Sequence, residues 1–424
     1  ERAAAISERE RILSTTSSIR PPNGWGHFRA GMTDRTPVLA TDSGLEPISI
    51  ARRPCAGRAA ACLLAALLAF AGLFFSGPHT SFAAETSRGE AVAEVTTGRI
   101  LYEHNGGRRL PMASTTKVVT ALTVIAGGGL DEVVAIPREA VGVEGSSVYL
   151  QEGERWTVLD LLYGLLLRSG NDCAIALALH CAGSVEAFAE RMNVLALTCG
   201  AEDSRFVNPH GLPAEGHYTT ACDLCRIAAC AMRDETFRSI VSCRSHRVPD
   251  GGAGVRVLHN KNKFLQNYAG ADGVKTGYTK EAGRCLVASA ERDGMRAVSV
   301  VLGCPDMYGR SAELLDGAFS RYKMHPLFRA EEYLRTVAAG KSGKNCRCGC
   351  AHSFSYPLAE GEEELVRIEE DLPASLPLPV RAGQPVGNLK IFFANQLLFS
   401  QKIVTIESVN QGILDILRAI AEKY

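Results

Sequence analysis

The sequence predicts an α+β chain in which helices are inserted among antiparallel strands, followed by a small all-β module. Three observations carry this. Alternating runs at Glu90–Val95 and Arg99–Glu103, joined by a Thr97-Gly98 turn, read as a β-hairpin, and further strands are expected at 285–289 and 297–302. Between these lie apolar residues at helical spacing, as in Val118, Val119, Leu122 and Ile125. From about residue 345 the pattern changes to short β-like runs at 365–368, 377–381, 387–393 and 397–405 with turns between them.

The elements follow in chain order. Residues 1–50 show no periodicity and are expected to be a disordered extension. In 51–84, Arg52, Arg53 and Arg58 precede an apolar run from Ala59 to Phe75, and Ser81-Phe82-Ala83 offers small residues before Ala84. That order reads as a secretory signal, with a retained membrane anchor as the rival. Residues 85–328 form the first domain. Its helix after Ser114 stops at Gly127-Gly128-Gly129, and Thr157 caps a helix that runs from Leu159 to Leu167. A helix from Ala174 to Cys181 is apolar almost all round and therefore central to the core. Amphipathic helices are expected at 184–200 and 219–232, a hairpin tip at Gly251–Gly254 and a closing helix at 306–322. The β-rich module spans 345–407. In 408–424, a Ser408-x-x-Gln411 cap opens a helix with Ile413, Ile416, Leu417, Ile420 and Tyr424 on one face. This tail either contacts a membrane surface or docks on the module.

Lys+Arg and Asp+Glu both number 46 in 424 residues, so no basic excess points to nucleic acid. Most of the 14 cysteines sit in apolar contexts, where small buried thiols are the default. Cys222 and Cys225 read as helix packing. Cys346, Cys348 and Cys350, followed by His352, are expected in an irregular loop, because a Cys-x-Cys-x-Cys run lacks the usual zinc-knuckle spacing.

The chemistry concentrates in Ser114-Thr-Thr-Lys117. A serine hydroxyl needs a base within hydrogen-bond reach, and a lysine one helical turn away supplies one if its pKa is depressed. Alone, the pattern equally describes an N-cap serine with a solvated lysine. Two further motifs follow in order: Ser169-Gly170-Asn171 between apolar helices, where Gly170 is expected to permit a tight turn, and Lys275-Thr276-Gly277 ahead of a β-like stretch. A plain loop cap would explain Ser-Gly-Asn equally well in isolation. The ordered trio of Ser-x-x-Lys, Ser-x-Asn and Lys-Thr-Gly is the pattern of serine acyl-transfer enzymes.

On these motifs, together with Asn208-Pro-His-Gly-Leu212, His217-Tyr-Thr-Thr220 and Gly283-Arg-Cys-Leu-Val-Ala-Ser289, the chain resembles the low-molecular-mass penicillin-binding proteins, specifically the serine D-Ala-D-Ala carboxypeptidases. The resemblance covers about residues 85–424. It implies the penicillin-binding/β-lactamase-like transpeptidase fold with a C-terminal β domain and a membrane-associating tail. It also implies that Ser114 attacks the carbonyl between two terminal D-alanines of a peptidoglycan stem peptide and that Lys117 takes its proton. Ser169 and Asn171 bridge to Lys117. Lys275 and Thr276 bind the terminal carboxylate, and the backbone N–H groups of Ser114 and Tyr278, next to Gly277, form the oxyanion hole. No metal or organic cofactor is implied, β-lactams are expected as covalent inhibitors, and the enzyme is expected outside the cytoplasm. The alternatives are a class A β-lactamase, a transpeptidase or endopeptidase, and a catalytically silent wall-binding protein. Ser-Gly-Asn in place of Ser-Asp-Asn and the β-rich extension favour the carboxypeptidase.

Overall fold

The computed structural model describes residues 87–249, 255–340 and 343–413. The expectations for 1–50, for the 51–84 export segment, for the Gly251–Gly254 tip and for nearly all of the tail helix lie outside them. The chain opens with β1 (Gly89–Glu94) and β2 (Ile100–His104), the expected hairpin. A 3₁₀ turn at Ala113–Thr116 runs into α1 (Lys117–Gly127), which ends at Gly128 with φ +77°. A short ribbon of β3 (Val133–Ala135) and β4 (Arg155–Thr157) leads to α2 (Val158–Leu167), capped by Thr157, whose hydroxyl accepts from Asp160 N at 3.0 Å. Next come α3 (Asn171–Ala182), α4 (Val185–Thr198), α5 (Ala221–Arg233) and α6 (Glu235–Ser242), a short helix that the periodicity did not announce. A hairpin of β5 (Ser245–Pro249) and β6 (Val255–His259) and the one-turn α7 (Phe264–Asn267) precede β7 (Ala271–Thr279), β8 (Gly283–Arg292), β9 (Met295–Leu302) and α8 (Met307–Arg321).

The main sheet has the order β2-β1-β9-β8-β7, antiparallel throughout. Successive side chains of a strand point to opposite faces, and here both faces are covered. Val287, Val298 and Val300 face the helical core that holds α1, α2, α3 and α5, whereas Leu286, Ala288 and Val301 pack on Leu314, Leu315 and Phe319 of α8. This explains why β8 and β9 read as continuous apolar runs. Strand β7 lies at the sheet edge, so among the described residues no strand pairs with its outer backbone groups. Among the described residues no single helix is long and apolar enough to cross a membrane.

The C-terminal part comprises β10 (Tyr322–Phe328), β11 (Arg335–Ala339), β12 (Lys344–Cys350), β13 (Phe354–Ala359), β14 (Val366–Asp371), β15 (Ser375–Leu376), β16 (Pro385–Phe393) and β17 (Gln396–Thr405). A six-stranded sheet has the order β14-β16-β17-β12-β11-β15, and β10 pairs with β13. Four expectations need correction. The β-rich part begins before residue 345, because β10 and β11 already belong to it. The cysteine run is strand β12, with Cys346 and Cys348 buried in the apolar core, since residues at i and i+2 share one face. Residues 377–381 form no strand beyond the Val380–Val409 bridge. Ser408 does not cap a helix: its hydroxyl accepts from Ala382 N at 2.9 Å, and the helical state first appears at Ile413.

Arg99, just before β2, ties the two parts together. Its guanidinium lies 5.2, 5.1 and 4.6 Å from the ring centres of Tyr322, Tyr356 and Phe393, and it grips Glu362 through two N–H···O bonds of 2.9 and 2.8 Å. Removing one partner of so enclosed an ion pair leaves a stranded charge, at a cost of about 3 kcal/mol. Arg99→Ala is therefore expected to lower the unfolding free energy in urea by that amount, and an unchanged midpoint would show the clamp to be idle.

Candidate active site

The site is built around an amine in an unusual place. Lys117, the first residue of α1, is fully buried. Its Nζ lies 3.0 Å from Ser114 Oγ, 2.7 Å from Asn171 Oδ1 and 2.6 Å from the His210 carbonyl oxygen. The amide and peptide oxygens only accept, so both require an N–H from Lys117. An ammonium would donate to all three oxygens, whereas a neutral amine donates to these two and leaves its lone pair for the Ser114 hydroxyl proton. Burial is the main force holding the Lys117 pKa well below the ordinary lysine value, and the nearby Lys275 charge adds to it. Burial thus favours the neutral amine, the form able to accept the Ser114 hydroxyl proton.

Each partner is held by its own local structure. Ser114 sits in the 3₁₀ turn just after Ala113, which has φ +51°, a left-handed backbone uncommon for a residue with a Cβ. Its N–H lies in the first turn, where helical backbone donors have no internal acceptor. The His210 carbonyl is presented by a loop stapled by Asn208, whose side chain accepts from Gly211 N at 2.7 Å and donates to Leu212 O at 2.9 Å. Gly211 has φ +90°, and a Cβ there would run into the Ala113 carbonyl. His217 anchors the same region: Val207 N donates to its Nδ1 at 3.1 Å, so its Nε2–H donates to Thr116 Oγ1 at 3.0 Å. Burial pushes the pKa of both His210 and His217 down to about 4.

Asn171 opens α3 and is fixed from both ends. Its Nδ2 donates to Glu144 O at 2.5 Å and its backbone N to Ser146 O at 2.7 Å. Ser169 is buried with φ +65°, so the left-handed residue of this motif is the serine and not Gly170, whose φ is −59°. Glycine is required at 170 for space, because a Cβ would meet Asp172 Oδ1 at 2.6 Å. Among the described residues the Ser169 side chain makes no hydrogen bond, so the bridge to Lys117 expected of both residues is made by Asn171, with the His210 carbonyl as the unforeseen second acceptor.

The third motif lies within β7, not ahead of a strand. Lys275 and Gly277 share one strand face. A Cβ on Gly277 would stand 3.0 Å from Ser114 N and 3.1 Å from both Met112 O and Thr115 N. Glycine here is what lets the edge strand close on the Ser114 turn. Lys275 is buried, with Nζ donating to Thr276 O at 2.8 Å, and burial together with the neighbouring Lys261 pushes its pKa down to about 7. Thr276 is half-buried and Tyr278 exposed. Lys261 was not foreseen: the only signal was its polar surroundings in Asn260-Lys-Asn-Lys263. The structure therefore brings Ser114, Lys117, Asn171, Lys275 and Gly277 into one place.

Residues 79–306 match the D-alanyl-D-alanine carboxypeptidase family, and residues 322–411 match the penicillin-binding protein 5 C-terminal domain. The chain belongs to the D-alanyl-D-alanine carboxypeptidase family. It is 32% identical to D-alanyl-D-alanine carboxypeptidase DacF of Bacillus subtilis over 82% of this chain and 92% of the relative. With carboxypeptidase DacC of Escherichia coli it shares 29% over 82% and 93%. Penicillin-binding protein 5 of Haemophilus influenzae superposes with a TM-score of 0.63 at 27% identity, covering 77% of this chain and 98% of that one. The family membership confirms the expected fold and makes this chain a serine-type D-alanyl-D-alanine carboxypeptidase, in preference to a β-lactamase or a silent scaffold.

A Cβ at 277 pushes on the Ser114 turn, and a misplacement of about 1 Å costs ~100-fold. Gly277→Ala is expected to slow acylation by a fluorescent penicillin about 100-fold while the melting temperature stays near that of wild type. Labelling at the wild-type rate would refute the close-approach role.

Proposed function

We propose that the chain removes the terminal D-alanine from peptidoglycan stem pentapeptides through an acyl-enzyme on Ser114. The observation that supports it most is the Lys117 amine, buried and with both N–H groups committed to carbonyl oxygens, facing the Ser114 hydroxyl at 3.0 Å. The peptide lies along the free edge of β7 as an added strand, pairing through its backbone. Its terminal carboxylate meets the Lys275 ammonium and the Thr276 hydroxyl. Ser114 Oγ attacks the carbonyl between the two D-alanines as Lys117 takes the hydroxyl proton. The oxyanion faces the backbone N–H groups of Ser114 and Tyr278, where losing one donor costs ~100–1000-fold in rate. The proton passes from Lys117 to the leaving D-alanine nitrogen, with Asn171 holding the amine and Ser169 placed on the relay. Water then cleaves the ester, and a β-lactam that acylates the same serine is released slowly. This substrate lies outside the cytoplasmic membrane, in keeping with the basic, apolar and small-residue order of residues 51–84.

Mass spectrometry of a pentapeptide ending in D-Ala-D-Ala is expected to show loss of one D-alanine with wild type and none with Ser114→Ala. Lys117→Arg should also be inactive, since a guanidinium stays protonated. An intact pentapeptide after incubation with wild type, or product from Ser114→Ala, would refute the mechanism.

The charge on Lys275 sets a pH limit. The role requires the ammonium, which is populated below its pKa, so kcat/KM is expected to fall as pH rises through about 7. A bound carboxylate stabilises the ammonium, so the matching limb of kcat should lie at higher pH. Coincident limbs in the two profiles would remove Lys275 from carboxylate binding.

A further inference from the structure

The loop between β3 and β4 carries a residue that the proposed reaction does not use. Tyr149 is 80% exposed, and its φ is +61°. Glycine or asparagine occupies that backbone region at little cost, whereas a bulky side chain there is an outlier that only over-determined surroundings maintain. The surroundings are over-determined by one buried carboxylate. Asp172 Oδ2 accepts from Val148 N at 3.0 Å, from Leu150 N at 3.2 Å and from Ser147 Oγ at 2.5 Å, and Ser147 Oγ in turn accepts from Tyr149 N at 2.8 Å. Val148 and Leu150 on either side are buried in the main core. The chain is thus pinned before and after Tyr149, and the ring is held out. The fold gains nothing from the ring itself, whose hydroxyl makes no hydrogen bond among the described residues.

The same loop is fastened to the catalytic centre. Its Glu144 and Ser146 carbonyls hold Asn171, and Asp172 is the next residue along α3. Lys261, which depresses the Lys275 pKa, reaches Ser146 Oγ at 3.5 Å, and Arg256 Nη1 donates to Val148 O at 3.2 Å. The ring is therefore carried by the same loop that fixes Asn171. The two D-alanines offer only methyl groups and are accounted for between Ser114 and Lys275. A platform beyond them meets the next residue of the peptide.

We propose that Tyr149 is a specificity-determining residue that packs against the aliphatic side chain of the residue preceding D-Ala-D-Ala. This rests on the proposed carboxypeptidase reaction. Arg256 spends its charge on Glu154 at 3.0 Å, and an exposed ring offers an apolar face, so the group recognised is the aliphatic stem.

The test compares wild type, Tyr149→Phe and Tyr149→Asn on two substrates, N-acetyl-Gly-D-Ala-D-Ala and Nα,Nε-diacetyl-Lys-D-Ala-D-Ala. They share one backbone, and only the second carries the side chain. Tyr149→Asn relieves the left-handed backbone, so its fold is at least as stable, which thermal melting reads. It is expected to lower kcat/KM on the lysyl substrate about three- to tenfold, mainly through KM, and to leave the glycyl substrate unchanged. Tyr149→Phe should keep the wild-type preference. An equal fall on both substrates, or no change on either, would overturn the proposal. If wild type released no D-alanine from either substrate, the reaction itself would be overturned, and the Tyr149 role with it.

Discussion

The constraint on which the rest depends is the neutrality of one buried amine. A charged lysine in a protein interior is expensive unless a carboxylate pairs with it. Among the described residues no carboxylate hydrogen-bonds Lys117. Asp172, whose charge reaches the amine, spends its oxygens on Ser147, Val148 and Leu150 and on the N–H of Cys173. The fold instead supplies two carbonyl oxygens, which satisfy a neutral amine and leave its lone pair aimed at the serine. A second lysine, Lys275, adds repulsion. Asn171, His210 and Lys275 reach the amine from three other stretches of chain, so its surroundings exist only in the folded protein.

Holding those stretches together takes close approach, and the small residues mark where it happens. Gly277 lets the edge strand touch the Ser114 turn, Gly211 lets the Asn208 loop touch Ala113, and Gly145, with φ +94°, lies where a Cβ would meet Asn171 Nδ2 at 2.8 Å. Around them Ala113, Tyr149 and Ser169 are held in left-handed backbone. Such conformations cost about 1–3 kcal/mol each and persist only where the surroundings impose them. The apolar mass of α1, α2, α3 and α5 against the sheet supplies that imposition, which is why so much of the helical region is fully buried.

What could be read from the sequence followed the range of the physics involved. Ser114 and Lys117 are one turn apart, so their meeting is local and legible. The Thr157 cap, the Gly128 stop and the first hairpin are local as well. The His210 carbonyl was illegible because a backbone acceptor leaves no mark on residue type. The assignment of the tight turn to Gly170 followed residue type, whereas tertiary contacts placed the left-handed backbone at Ser169 and used the glycine for space. In the C-terminal part, three cysteines at alternate positions carried a period of two that signals a strand. Their chemistry as metal ligands drew attention away from their plain role as small apolar side chains facing a core. Ser408 had the composition of a helix cap, but its hydroxyl accepts from Ala382, a distant partner that sequence spacing does not reveal.

On the proposed reaction, the two lysines explain how one site is a base before attack and an acid after it. Lys275 and Lys117 repel, so the charge on the first helps keep the second unprotonated in the free enzyme. In the proposed mechanism the substrate carboxylate pairs with Lys275 and offsets its field. The proton affinity of Lys117 then rises as the Ser114 hydroxyl must lose its proton. When D-alanine departs it takes that carboxylate with it, the Lys275 field is restored, and Lys117 is driven back towards the neutral form that can activate water. A peptide lacking the terminal carboxylate would bind without altering the base. The proposed reaction thus makes the requirement for a free C-terminus electrostatic, exerted on Lys117 through Lys275.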